Sequence, residues 1–246
     1  TGSTRLPNKM LMPFYNGKGI LEILIDRIRA EFHPDFNNLV IATTTSAGDD
    51  KIADLCERLN VKCFRGSEND VLKRFIDAAH NYNSDKIIRI CADNVFLDTK
   101  LLYQLYDKLT KSDCDYVSYK TCSGIPSIKT HYGFWAEGVS LKALESVYDE
   151  TDDSLYHEHV TNYIYTHPEK FTICLQPICE TINGIEDHPD LRLTIDTIED
   201  FNISQFVFSN LSEQEIAVDS LNILAFLEKH PELYAKMKII IDKNAK

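Results

Sequence analysis

Three stretches of this chain carry residue types that could hold and activate a polyphosphate. The first is Thr1-Gly2-Ser3-Thr4-Arg5-Leu6-Pro7-Asn8-Lys9. Gly2 lets a backbone approach a ligand closely. The successive amides of Gly2, Ser3 and Thr4 can donate to phosphate oxygens as a nest does. Arg5 offers a bidentate fork to one phosphate and Lys9 a point charge to another. The result is a triphosphate cradle, but not the G-x-x-x-x-G-K-[ST] pattern of a P-loop. Taken alone, the stretch reads equally well as a flexible basic terminus.

The other two stretches are acidic. Asp93 follows the apolar run 86–91, and Asp196 follows Leu193-Thr194-Ile195. In an open α/β sheet, ligands bind outside the carboxyl ends of strands. Carboxylates there can hold Mg²⁺ on a nucleotide phosphate. Helix capping competes at both positions, since Asp caps well. Near Asp196, Thr197 is a cap candidate and Asp200 places charge in the first helical turn. Asp98 precedes a helix and reads as a plain cap. Arg65-Gly66-Ser67, after another strand, can close over a base or sugar. By composition an ordinary strand-to-helix turn capped by Asn69 is the favoured reading. His157-Glu158-His159 lacks the spacing of H-E-x-x-H, and its side chains do not share a helical face, so zinc is rejected there.

These residues need a scaffold, and the pattern supplies one. Helical stripes at 19–32, 49–59, 71–82 and 101–109 alternate with strand-like runs at 39–43, 61–64, 86–91 and 116–119. Such alternation predicts an α/β fold with a mostly parallel sheet covered on both faces. Further on, strands are expected at 133–139, 171–175 and 191–195. Helices are expected at 141–148, 158–167, 198–209 and 221–229. The reading is one domain over 1–246, with a small acceptor or dimerisation subdomain around 122–180. A phosphate loop normally leaves a sheet strand, so roughly ten further residues are expected upstream of Thr1.

Composition narrows the classes. A net charge of -12 disfavours a nucleic-acid surface, which needs clustered Lys and Arg. No apolar run reaches the length of a membrane span. The seven cysteines include no C-x-x-C pair and read as reduced thiols of a cytoplasmic protein. G-x-S-x-G and G-x-G-x-x-G are both absent, which leaves acyl transfer and dinucleotide binding without support.

Five segments together resemble the cytidylyltransferases that activate sugar acids, most of all the spore-coat polysaccharide F-type proteins. Those read R-x-G-S-T-R-L-P-G-K, R-G-S-E-D-D-V-L-x-R, T-G-D-C-P-L-I-D, R-E-H-V-T-x-Y-I and R-L-T-V-D-x-P-E-D. In this chain the matching runs begin at Gly2, Arg65, Cys91, His157 and Arg192, in the same order and register. The resemblance implies a nucleotide-diphospho-sugar transferase-like (GT-A/Rossmann-like) three-layer α/β/α sandwich, CTP as donor, Mg²⁺ as cofactor and a homodimer. It implies that Arg5 and Lys9 grip the triphosphate and that Asp93 and Asp196 hold the metal. It also implies an acceptor pocket involving Glu137, Glu158, His159 and Arg192.

The departures concern the acceptor. The family's Cys-Pro after the metal Asp is Asn94-Val95 here, and a family Asp is replaced by Trp135. The reaction implied is attack by an acceptor oxygen on the α-phosphorus of CTP, with pyrophosphate released, toward a surface glycan. Two other readings share the fold: a glycosyltransferase using a nucleotide sugar, and a non-catalytic nucleotide-binding homologue.

Overall fold

A computed structural model describes residues 5–32 and 38–244. Gly2, Ser3 and Thr4 lie outside the described residues. The elements in order are α1 (Ile20–Phe32), β1 (Val40–Thr44), α2 (Asp50–Arg58), β2 (Lys62–Gly66), α3 (Val71–Asn81), β3 (Lys86–Arg89) and α4 (Thr99–Lys111). Next come β4 (Tyr116–Lys120), β5 (Glu137–Ser140), α5 (Leu141–Glu150), α6 (Ser154–Glu158), α7 (Asn162–Thr166) and β6 (Ile173–Pro177). Three helices follow, α8 (Ile198–Glu213), α9 (Ser220–Glu228) and α10 (Pro231–Asn244).

The described strands form two sheets. β1 and β2 make a parallel pair, and β3-β5-β4-β6 make a four-stranded sheet. In the larger sheet β4 and β6 are parallel, while β5 runs against both β3 and β4. Hence β3, β4 and β6 share one direction and end at one edge. This is the expected α/β architecture, with β5 as the reversed strand. Gly138 of β5 lies under α4, where a Cβ would sit 3.0 Å from a Leu109 methyl. Only glycine lets the helix settle that close.

Local chemistry explains the helix boundaries. Asp98 caps α4 by accepting from Lys100 and Leu101, and its other oxygen accepts from Ser220 at the start of α9. Thr197 and Asp200 form a reciprocal capping box on α8. The cap of α3 is Asp70, not Asn69, and it accepts from Lys73 N–H at 2.8 Å.

The expected helix over 158–167 is two short helices, broken at His159–Thr161. The expected strand over 191–195 is extended and buried at Leu191, Leu193 and Ile195 but joins no ladder. Its amides serve other partners: Leu193 and Thr194 donate to the His131 carbonyl, and Arg192 donates to the Met237 sulfur. Burial alternation therefore mimicked a strand. The third closing helix, α10, was not expected; Leu233, Met237 and Ile240 bury its inner face. The expectation that all thiols are reduced is also corrected. Cys114, just before β4, is bonded to Cys174 in β6 as a disulfide between neighbouring strands.

One aromatic cluster and one arginine matter for the site. Phe14 packs edge-on to Phe201 and Phe208 at centroid distances of 5.2 and 5.5 Å, and Phe96 joins the cluster at 6.3 Å from Phe208. Gln205 of α8 donates to the Phe14 carbonyl at 2.7 Å. This aromatic lock fixes the segment after Lys9 against α8. Arg27 of α1 donates to the Val95 and Val218 carbonyls and holds the loop after Asp93.

Candidate active site

Lys9 is the centre of the site. Its side chain is almost fully buried, and its ammonium lies 2.9 Å from Asp93 Oδ2 and 3.9 Å from Asp196 Oδ1. It also donates to the Ile195 carbonyl. Asp93 follows β3 at the carboxyl edge of the larger sheet, and Asp196 immediately precedes the α8 cap. One cation therefore sees two carboxylates that are a hundred residues apart in the chain. Both Asp side chains keep about a quarter of their surface exposed. Arg5 reaches the same place, 3.1 Å from Asp196 Oδ1, and is the most exposed of the group.

The loop that carries Lys9 needs a left-handed residue, Asn8, with φ of 59°. The motif that this stretch resembles has glycine there. Asn tolerates that conformation better than other non-glycine residues, so the substitution keeps the turn.

Asp196 is held rather than free to swing. Arg192 Nη2 donates to Asp196 Oδ2 at 2.8 Å, while Arg192 Nε and Nη2 grip the buried Asp200 at 2.8 and 3.1 Å. Asp200 also accepts the amides of Asp196 and Thr197. Burial alone would raise the Asp200 pKa, but Arg192 and these amides outweigh it and hold the carboxyl below its ordinary range. Burial likewise works against the Arg192 charge, and Asp200 and Asp196 overcome it. Arg192 is 3% exposed. Its guanidinium braces Asp196.

A further member was not singled out in the sequence. His131 Nδ1 lies 2.8 Å from Arg192 Nη1. Arginine can only donate, so Nδ1 accepts and the ring proton sits on Nε2. Burial and then Arg192 lower the His131 pKa, which keeps the ring neutral. A neutral, exposed Nε2–H donor thus stands beside the Asp196 brace. Gly133, with φ of 75°, lets this loop lie on the Leu193–Thr194 backbone, which a Cβ would approach at 3.3 Å. A lone histidine in a loop gave no signal without that contact.

The smaller sheet contributes a cleft of about 460 Å³ at the carboxyl end of β1, lined by Thr43, Thr44, Ser46, Asp49, Glu68 and Arg74. Asp49 Oδ2 accepts from both threonine hydroxyls at 2.7 Å. Arg74 Nη1 donates to the Ser67 carbonyl, and its buried Nε has no hydrogen-bond partner. Arg65 donates to the Thr44 and Ser46 carbonyls and pairs with Asp50 at 2.8 Å. It shapes the wall of this cleft. Gly66 is packed so closely that a Cβ would meet a Phe64 ring carbon at 2.8 Å, and Ser67 Oγ accepts the Asp70 amide.

A scan for family likeness matches residues 1–241 to the cytidylyltransferase model. The chain belongs to the cytidylyltransferase family. It is 35% identical over 95% of its length to an uncharacterised protein of Methanocaldococcus jannaschii, covering 89% of that protein. It is 31% identical over 94% of its length to the spore coat polysaccharide biosynthesis protein SpsF of Bacillus subtilis, covering 92% of that protein. A solved cytidylyltransferase from Leptospira borgpetersenii superposes with a TM-score of 0.80 at 29% identity, covering 95% of this chain and 92% of that one. As a cytidylyltransferase, the chain is a CTP-dependent nucleotidyltransferase with the α/β fold of its relatives. No helix among the described residues is long and apolar enough to cross a membrane.

Of the expected acceptor residues, Arg192 meets Asp196 in this site, while Glu137, Glu158 and His159 make their bonds and contacts elsewhere. Glu137 of β5 is 1% exposed and accepts from Tyr116, Thr161 and Arg89. Its carboxylate thus bonds to β3, β4 and the segment before α7. Glu158 and His159 are exposed at the end of α6. Their helix packs on α3, and among the described residues neither side chain bonds to Asp93, Asp196 or Lys9. The neighbouring His157 instead bridges Asp70 and the Thr151 carbonyl, each at 2.8 Å.

Proposed function

We propose that the chain transfers CMP from CTP to a sugar-type acceptor of surface glycan synthesis. The observation that carries this reading is the Lys9 ammonium set between Asp93 and Asp196 at the end of β3. Two carboxylates meeting at one cation position, each partly open to solvent, fit a divalent ion better than a buried structural pair does. The donor set is all oxygen and small in number, which suits Mg²⁺, an ion that keeps waters and phosphate oxygens as its other ligands. Asp93 and Asp196 would hold that ion, and when bound it supplies neutralisation of phosphate charge.

The chain's own groups supply the rest. The cleft at β1 takes the nucleoside end of CTP, with Arg74 on its wall. Arg5 and Lys9 neutralise the β- and γ-phosphates and the departing pyrophosphate. Arg192 keeps Asp196 in place by its bonds to Asp196 and Asp200. His131 offers Nε2–H to an oxygen of the acceptor or the α-phosphate. An acceptor oxygen attacks the α-phosphorus, the P–O bond to pyrophosphate breaks, and the hydroxyl proton leaves to solvent. No protein nucleophile is required, since positioning and charge carry such a reaction. We read the working form as a homodimer.

The test is pyrophosphate release from each of the four nucleoside triphosphates, with Mg²⁺ and a panel of sugar acids and sugar phosphates. CTP-selective release that depends on one acceptor class supports the reading. Release independent of acceptor, or selectivity for another nucleotide, overturns it.

A further inference from the structure

A second cluster lies at the same edge of the larger sheet, and no step above uses it. Cys122 follows β4 by two residues, and Cys179 sits in the 3-10 turn Ile178–Glu180 just after β6. β4 and β6 are parallel neighbours, so both chain exits leave side by side. The two sulfurs are 2.8 Å apart. Glu186, from the next 3-10 turn Ile185–Asp187, accepts the Cys122 amide with both oxygens at 3.0 and 3.2 Å. Ligand atoms of all three residues fall within 4.8 Å of one another. Cys122 is exposed, and Cys179 and Glu186 are half-buried.

We propose that Cys122, Cys179 and Glu186 bind one zinc-class divalent cation, which ties the loop after β4 to the two turns after β6. Two thiolates and a carboxylate are a donor set for a borderline-soft ion and a poor one for Mg²⁺ or Ca²⁺. On one tetrahedral ion at about 2.3 Å from each sulfur, the two sulfurs would stand roughly 3.8 Å apart. Opening the pair by about 1 Å takes only a side-chain rotation of exposed Cys122. Three protein ligands leave a fourth position for water or an exogenous donor.

The alternative use of two close thiols is a disulfide, and Glu186 argues against it. A carboxylate adds nothing to a disulfide and repels the thiolate that would form one. It is a ligand, however, once a cation is present. The two sulfurs and the Glu186 carboxylate crowd one another at this point. Among the described residues no lysine or arginine forms an ion pair with Glu186 to relieve this crowding. A divalent ion would relieve it and displace the thiol protons.

The experiment uses the full chain, reduced and stripped with a chelator, then titrated with Co²⁺ and back-titrated with Zn²⁺. A sulfur-to-cobalt charge-transfer absorption should appear at one ion per chain and vanish as Zn²⁺ displaces cobalt. Cys122→Ser and Cys179→Ser should each lose the band, and Glu186→Gln should weaken binding. Cys63→Ser, on β2, should leave it unchanged. Zn²⁺ should raise the melting temperature of the parent chain but not of Cys179→Ser, which separates a bound site from misfolding. The proposal is overturned if the reduced chain shows no band, or if the band survives in both cysteine variants. It is equally overturned if Cys122 and Cys179 are isolated as a disulfide and take up no metal after reduction.

Discussion

Lys9 and Asp93 form a partly buried ion pair of 2.9 Å, and Asp196 stands 3.9 Å from the same ammonium. A side chain that balances two carboxylates can turn to a phosphate only when another cation takes its place. Lys9→Met keeps the stem and removes that charge. A charge-assisted hydrogen bond is worth about 1.5–3 kcal/mol, or roughly 10–100-fold. The expected outcome is a CTP affinity lower by that factor, measured by calorimetry, with acceptor KM nearly unchanged. An equal loss toward both substrates would refute the phosphate role.

Asp196 faced a capping explanation, and the structure assigns the cap to Thr197 and Asp200 instead. Asp196→Asn should therefore shift the melting temperature little while turnover falls by orders of magnitude. Asp200→Asn should lower the melting temperature as well as turnover, since Arg192 braces Asp196 from it. It leaves buried Arg192 without its strongest partner, and breaking such a pair costs about 3–5 kcal/mol. Melting curves paired with pyrophosphate release separate the two. Normal turnover in Asp196→Asn would sink the metal assignment.

Glu137 makes a third case. It receives Arg89, Tyr116 and Thr161 and is closed to solvent. Glu137→Gln should lower stability by about 3–5 kcal/mol in a denaturant titration, because Arg89 would lose its buried counter-charge. If the variant folds with parent stability but loses acceptor selectivity, the acceptor role returns.

His157 makes a prediction about pH. Both ring nitrogens face acceptors, Asp70 and the Thr151 carbonyl, so the ring must be doubly protonated to bond both. Burial lowers its pKa, but these bonds outweigh it and the net direction is up. A raised histidine stabilises the fold fully below its unfolded value of about 6.5, and the gain is lost as pH rises through the folded value. The stability difference between the parent chain and His157→Asn should thus shrink as pH rises above about 6.5. A difference that stays constant or grows with pH would remove the clamp.

The sequence by itself determined the fold class, most of the elements and the five dispersed motifs. Those are written in local periodicity, in caps such as Asp98 and Thr197, and in residue order, none of which needs a distant partner. It named Lys9, Asp93 and Asp196 but left the two aspartates open between two roles, because capping and metal binding draw on the same residue types. Tertiary structure separated the roles by placing Asp200 in the cap and Asp196 under Lys9. Long-range contact alone decided the rest. His131 joined the site through Arg192, Glu137 met Arg89 and Tyr116 in a buried network, and Cys114 met Cys174 across two strands. The buried stretch 191–195 looked like a strand because alternation reports burial on both sides, not hydrogen-bond partners. A sequence records what each side chain can do; only the fold decides which neighbours compete for it.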